Sequence, residues 1–244
     1  MIRRLLSTAF WFFILISSLV LFPTAALIFV TTALFDRRLV VLHRFTCFWA
    51  SIYTWMNPAW RVKVEGREFI DPRETYVMVA NHLSLLDILV LFRLFRHFKW
   101  VSKIENFRVP LVGWNMRLNR YIPLVRGDRE SVMKMLELCR RTLLSGSSIM
   151  MFPEGTRSAD GRLKAFKPGA FQLALETGRP ILPIALTGTA DALPKKGYVL
   201  RGSHSIRVRV LAPIAQAAFA GETPASLAEK VRDVIARAIG AEKA

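Results

Sequence analysis

The sequence is short of acid and of cysteine. Only 18 Asp and Glu stand against 35 Lys and Arg over 244 residues, a formal charge of +17. The isoelectric point is near 10.9. Such a surplus suits an anionic partner: a membrane surface, a nucleic acid, a negatively charged substrate or an acidic protein. No zinc spacing or other nucleic-acid motif occurs, so nucleic acid is the weakest of these. The two cysteines, Cys47 and Cys139, lie far apart and form no disulfide framework or metal spacing. No Gly-x-Ser-x-Gly elbow appears, so nothing points to a serine nucleophile. No Walker loop, dinucleotide fingerprint, internal repeat or low-complexity segment is present. No metal and no organic cofactor is implied.

Charge is also missing locally. Residues 5–35 contain no charged side chain. The run is too long for a buried core helix and falls in membrane territory. As one straight helix it measures about 45 Å, more than the roughly 30 Å of a hydrocarbon core. Pro23 near its middle is expected to kink or break it. Arg3 and Arg4 precede it and Arg37 and Arg38 follow. Equal basic flanks assign no orientation and fit a re-entrant or surface-lying hairpin; a single tilted span is the alternative. A cleaved signal peptide fits the basic start but not the length of the run or the absence of a small-x-small site.

What is present is hydrophobic residue, 52% of the chain, with a mean hydropathy of +0.31. Residues 39–60 carry Phe45, Phe48, Trp49, Tyr53, Trp55 and Trp60. Rings of this kind favour the headgroup level of a membrane, or else pack onto the following domain. Asn57-Pro58 marks a break. We divide the chain into a membrane-associated helical part, residues 1–60, and an α/β domain, residues 61–244.

Beyond Trp60 the pattern alternates between strands and helices. Strands are expected at residues 61–65, 76–80, 100–102, 120–125, 148–152, 181–186 and 205–210. Helices are expected at 84–95, 129–144 with Asp128 as N-cap, 168–177 with Gly178 at its end, and from Thr223-Pro224 onward. Cys139 falls on the stripe Val132, Met135, Leu136, Cys139, Leu143 and reads as core. The fold class is α/β: a mixed or largely parallel sheet flanked by helices, with an N-terminal hydrophobic helical membrane segment. Ligands of such sheets bind beyond the carboxyl ends of the strands.

Three polar clusters follow strands. In Asn81-His82-Leu83-Ser84-Leu85-Leu86-Asp87, a carboxylate sits in an apolar stretch, where it needs a partner. Five helical residues turn about 500°, so His82 and Asp87 meet only if His82 lies in the turn before the helix. The pair then forms a general base with its orienting carboxylate. The alternative is a helix-capping histidine and an aspartate paired elsewhere. Arg126 ends the second cluster. The third, Phe152-Pro153-Glu154-Gly155-Thr156-Arg157-Ser158, crowds Glu154, Thr156 and Arg157 around Gly155. Arg157 suits a phosphate, and Lys167 adds a cation before a helix start. A turn with a structural salt bridge is the alternative. His43, His97 and His204 show no ligand spacing and are read as surface or interfacial residues.

Together these blocks resemble the glycerolipid acyltransferase family, specifically its 1-acyl-glycerol-3-phosphate acyltransferases. NHLSLLD is similar to the family's N-H-x-x-x-x-D block, and FPEGTRS to its third block. Arg179-Pro180-Ile181-Leu182-Pro183-Ile184 is similar to its proline-containing fourth strand. The second block departs: Val125 stands where the family usually has Asp before its arginine. The resemblance implies acyl transfer from an acyl-carrier protein or acyl-CoA to lysophosphatidic acid, with His82 as base and Asp87 as its orienter. It implies Arg126, Arg157 and Lys167 as phosphate contacts, and Glu154, Gly155 and Thr156 as the shape of the acceptor site. Another lyso-lipid acceptor, such as a lyso-ornithine lipid or a lysophospholipid, fits the same motifs, as does a non-catalytic lipid binder. The implied place is a membrane, the inner one, with the catalytic part on its cytoplasmic side.

Overall fold

The computed structural model describes residues 1–158, 160–193 and 198–241. Its elements are α1 (Ile2–Thr32), α2 (Val40–Trp55), β1 (Trp60–Glu65), β2 (Val77–Ala80), α3 (Leu86–Phe92), β3 (Phe98–Lys103), α4 (Val112–Leu118), β4 (Ile122–Leu124) and α5 (Arg129–Leu144). There follow β5 (Ser148–Met151), α6 (Gly169–Thr177), β6 (Ile181–Thr187), α7 (Thr189–Ala192), β7 (His204–Val210) and α8 (Pro224–Gly240).

The strands form one sheet in the order β1-β7-β6-β2-β5-β3-β4. β2 pairs in parallel with both β5 and β6, and β3 with both β5 and β4. β7 runs antiparallel to β6 and parallel to β1, so the sheet is mixed. The central strands β2 and β5 are buried throughout, because helices cover both faces. Alternation divides the side chains of β2, β5 and β6. Val77, Val79, Ile149 and Ile181 face α5, α6 and α8, while Met78, Ala80, Met150 and Leu182 face α2 and α3. β7 follows the same rule at the sheet's flank: Ile206, Val208 and Val210 are buried between less buried arginines.

Local chemistry sets the helix ends. Asp128 accepts the Ser131 amide at the start of α5, and Thr223 accepts the Ser226 amide at the start of α8, with Pro224 at its first turn. Gly178 ends α6 at φ +64°. Cys139 is fully buried on the inner stripe of α5. The helix expected at 84–95 is shorter, seven residues beginning at Leu86. α4 has no counterpart in the expected elements.

The N-terminal part differs from expectation in one respect. Pro23 does not break the apolar run: α1 continues through it to Thr32. The chain reverses only at residues 33–39, and α2 makes the return. α2 lies between α1 and the sheet, with Cys47 and Ala50 in the sheet-facing core and Leu42, Trp49 and Tyr53 against α1. α1 is long and apolar enough to cross a membrane, and only 11% of its most apolar stretch is buried. The aromatic set of residues 39–60 splits. Trp49, Tyr53 and Trp60 are core residues, while Phe48 and Trp55 are exposed. The surface reading of His43 is overturned: it is fully buried between α2 and β3, because Tyr121 and the Arg96 carbonyl satisfy both ring nitrogens.

Candidate active site

The site forms where β2 ends. Asn81 extends the sheet pairing by one residue with its side chain: Nδ2 donates to Leu186 O (3.0 Å) and Oδ1 accepts Leu186 N (2.8 Å). His82 follows in a turn ahead of α3. Its amide donates to Glu154 Oε1 at 2.7 Å, and its carbonyl accepts Ser158 N at 2.8 Å. The loop after β5 thus holds the His82 backbone from both sides.

Asp87 lies in the first turn of α3 and is fully buried. Its Oδ2 accepts three bonds: His82 Nδ1 at 2.8 Å, Leu83 N at 2.6 Å and Ser84 N at 2.8 Å. Three donors on one oxygen are what makes a buried carboxylate tolerable without an arginine. A carboxylate on Nδ1 fixes that nitrogen as the protonated one and leaves Nε2 as the acceptor. The ring is held from a second direction by Phe152, stacked at 3.9 Å with planes 7° apart. Ser84 anchors the turn by donating from Oγ to Leu193 O at 2.5 Å.

His82 opens on a cavity of about 780 Å³. Its walls are mostly apolar and come from both parts of the chain, including Phe10, Ile14 and Trp49 from the N-terminal helices and Trp100, Met135 and Phe152 from around the sheet. Cations line the same cavity as His82, among them Arg126, after β4, and Lys167, just before α6. α1 is fastened to this rim. Trp11 Nε1 donates to Tyr198 O (2.8 Å) and Leu200 N donates to Ser7 Oγ (2.9 Å).

The sequence-derived residues therefore divide. His82, Arg126, Gly155 and Lys167 line the cavity, with Asp87 directly behind His82. Gly155 sits at φ +71°, a backbone conformation that favours glycine, and a Cβ there would meet only the movable end of Lys167, 3.0 Å from Cε. Glu154 does not line the cavity. It is 4% exposed, and its carboxylate takes the His82 amide and, at 3.3 Å, the Lys164 amide. Burial pushes its pKa up despite those bonds. Thr156 is exposed and Arg157 half-buried, and neither is in the cavity wall. The Arg157 carbonyl accepts Lys164 Nζ at 3.2 Å. Sequence reasoning missed Asn81, Ser84 and the stacking role of Phe152. It also missed that residues 1–60 build part of the cavity; the run of four aromatics, Phe10-Trp11-Phe12-Phe13, was the available signal.

The Acyltransferase family model matches residues 61–187, just over half of the chain. A 1-acyl-sn-glycerol-3-phosphate acyltransferase of Chlamydomonas reinhardtii is 39% identical over 207 residues, covering 83% of this chain and 61% of that protein. A chloroplastic enzyme of the same name from Arabidopsis thaliana is 39% identical over 183 residues, covering 74% of this chain and 51% of that one. The chain thus spans about half to three-fifths of the length of these curated relatives. The crystal structure of the 1-acyl-sn-glycerophosphate (LPA) acyltransferase PlsC from Thermotoga maritima superposes with a TM-score of 0.78 at 25% identity, over 100% of this chain and 97% of that one. The chain belongs to the Acyltransferase family.

Proposed function

We propose that the protein transfers a fatty acyl group from a thioester, carried by acyl-carrier protein or coenzyme A, to the free hydroxyl of lysophosphatidic acid, giving phosphatidic acid for phospholipid synthesis. The observation that carries this reading is the His82–Asp87 pair. Its Nε2 is without a partner among the described residues and borders an apolar cavity that also bears Arg126 and Lys167. Shared names among the relatives support the choice of acceptor.

In this mechanism His82 Nε2 takes the proton of the acceptor hydroxyl, and Asp87 stabilises the imidazolium that forms. The acceptor oxygen attacks the thioester carbonyl, and a C–O bond forms as the carbonyl becomes tetrahedral. The intermediate collapses by breaking the C–S bond, and the leaving thiolate takes the proton back from His82. No acyl-enzyme is needed. Arg126 and Lys167 hold the acceptor's phosphate, and the apolar walls take acyl chain. Glu154 and the Thr156–Arg157 turn act through the backbone of His82 and through Gly155, shaping the acceptor side. Residues 1–60 form the membrane-associated part and residues 61–244 the acyl-transfer domain, on the cytoplasmic side of the inner membrane. The exposed apolar face of α1, with Phe12, Leu19, Leu27 and Val30, supports the membrane association, not its side. Acceptor and product then stay in lipid while the donor arrives from water.

The test offers purified protein one acyl-thioester donor with lysophosphatidic acid and, separately, a lyso-ornithine lipid. Acyl transfer to lysophosphatidic acid that disappears in His82→Ala supports the proposal. Transfer only to the other acceptor overturns the acceptor assignment, and transfer retained by His82→Ala overturns the mechanism.

A further inference from the structure

A second polar cavity lies at the opposite end of the sheet from His82, where β2, β3 and β5 begin. It measures about 120 Å³, well below the roughly 300–1,000 Å³ of pockets for whole small molecules. Three guanidinium groups from three elements line it: Arg38 from the turn before α2, Arg44 from α2, and Arg96 from the approach to β3. Arg38 donates to Gly146 O at 2.9 Å. The side chains of Arg44 and Arg96 have no hydrogen-bond partner among the described residues. Two further polar groups face the same space. Tyr76 accepts the Asp71 amide and keeps its O–H available, and His97 Nδ1 is buried without a partner. Asp71 and Glu74 also border the cavity and offset part of the arginine charge: Asp71 accepts the Arg73 amide, and Glu74 takes the Thr75 amide and pairs with Arg179.

The surroundings identify which anion this set suits. Arg44 sits one turn from Val41 and one turn from Phe48, both exposed, and so lies within the apolar strip of α2. Leu34 and Phe35, at 89% and 75% exposure, project from the adjoining α1–α2 turn. A small donor-rich cavity, two of whose arginines lie on α2 and its preceding turn among exposed apolar residues, matches the chemistry of a lipid: a phosphate head and hydrocarbon nearby. We infer that the Arg38–Arg44–Arg96 cavity binds the phosphate of an anionic glycerophospholipid of the host membrane, separately from the acyl-transfer site. The inference rests on the membrane placement of α1 and α2 proposed above.

The experiment is flotation of the full-length protein with vesicles of pure phosphatidylcholine and of phosphatidylcholine mixed with phosphatidylglycerol. Flotation with neither overturns the membrane placement itself. Flotation with both, stronger with phosphatidylglycerol, is expected. Arg44→Gln, at an exposed position, should weaken the phosphatidylglycerol-dependent part about fivefold, and Arg44→Gln with Arg96→Gln about thirtyfold. Binding to phosphatidylcholine and acyl transfer in detergent should not change. Arg61→Gln with Arg237→Gln removes the same charge elsewhere; an equal loss there would reduce the effect to overall charge and overturn the site. Millimolar inorganic phosphate at fixed ionic strength should leave the phosphatidylglycerol preference intact. If phosphate abolishes it, the cavity is a free-anion site, and the lipid assignment fails.

Discussion

His82 and His43 are both buried histidines against aromatic rings, and they are chemically opposite. His82 gives Nδ1 to a carboxylate and leaves Nε2 facing a cavity. His43 has both nitrogens occupied: Tyr121 OH lies 2.9 Å from Nδ1, and Arg96 O lies 3.0 Å from Nε2. A carbonyl can only accept, so Nε2 carries the proton and Nδ1 accepts from Tyr121. Burial, followed by the neighbouring His97 and Lys99, pushes the His43 pKa far down and holds the ring neutral. Burial alone therefore does not make a base. The proposed base needs an anionic partner on one nitrogen and an open second nitrogen, and among the described histidines only His82 combines them.

The sharpest way to break that contrast is to remove each ring. His82→Ala should lower acyl transfer about 10³-fold or more, with the circular dichroism spectrum unchanged. A loss below tenfold would mean that His82 is not the base. Asp87→Asn should cost about 10²–10⁴-fold in kcat, because the amide cannot stabilise the imidazolium and favours the wrong tautomer. An unaltered kcat would assign Asp87 to folding alone.

Arg126 and Arg157 extend the comparison to the proposed phosphate contacts. Arg126 shares the cavity with His82, while Arg157 does not line it. Arg126→Ala should raise the KM for lysophosphatidic acid about 10–100-fold, the loss of a charged hydrogen bond, and Arg157→Ala about threefold or less. The reverse order, measured with one donor at saturation, would move the phosphate to the other side of Gly155.

The two histidines also mark what a sequence can carry. Local chemistry was legible: the Asp128 and Thr223 caps, the buried runs of β2 and β5, the alternation of β7, and the His82–Asp87 spacing that requires a turn before a helix. These depend on neighbours within a few residues. His43 was misjudged because its partners, Tyr121 and the Arg96 carbonyl, lie 78 and 53 residues away. Glu154 was given to the acceptor, yet its carboxylate bonds the His82 amide across 72 residues. The part played by α1 in the cavity rests on contacts with residues 198 and 200, nearly the whole chain distant. Pro23 misled for a different reason: an isolated propensity was overruled by the apolar run around it.

Replacing His43 by Phe separates structure from chemistry. The Tyr121 hydroxyl would lose its partner in a buried site, at a cost of about 1–3 kcal/mol in stability. Transfer per folded molecule should stay within about twofold, since His43 does not itself line the cavity and reaches it only through Tyr121 and Phe92. A large fall in kcat with stability intact would instead couple the two histidines.

The smallest expected effect is a pH dependence of stability from the His43 side of the comparison. His97, 5.3 Å from His43 between ring centres, has its pKa pushed down to about 3 by burial and by the charges of Lys99 and Arg38. Its unfolded value is near 6.5. Below that value the unfolded chain binds a proton that the folded chain does not, so stability falls as the solution is acidified. The window runs from about pH 6.5 down to about 3 for His97, and His43 acts in the same direction from the same upper limit. Each contributes at most about 1.4 kcal/mol per pH unit. Denaturant midpoints between pH 7 and 5 should therefore decline in the native protein and decline less steeply in His97→Gln. An equal slope in the variant would mean that His97 protonates as readily in the folded protein as in the unfolded chain, and the contrast with His82 would then rest on His43 alone.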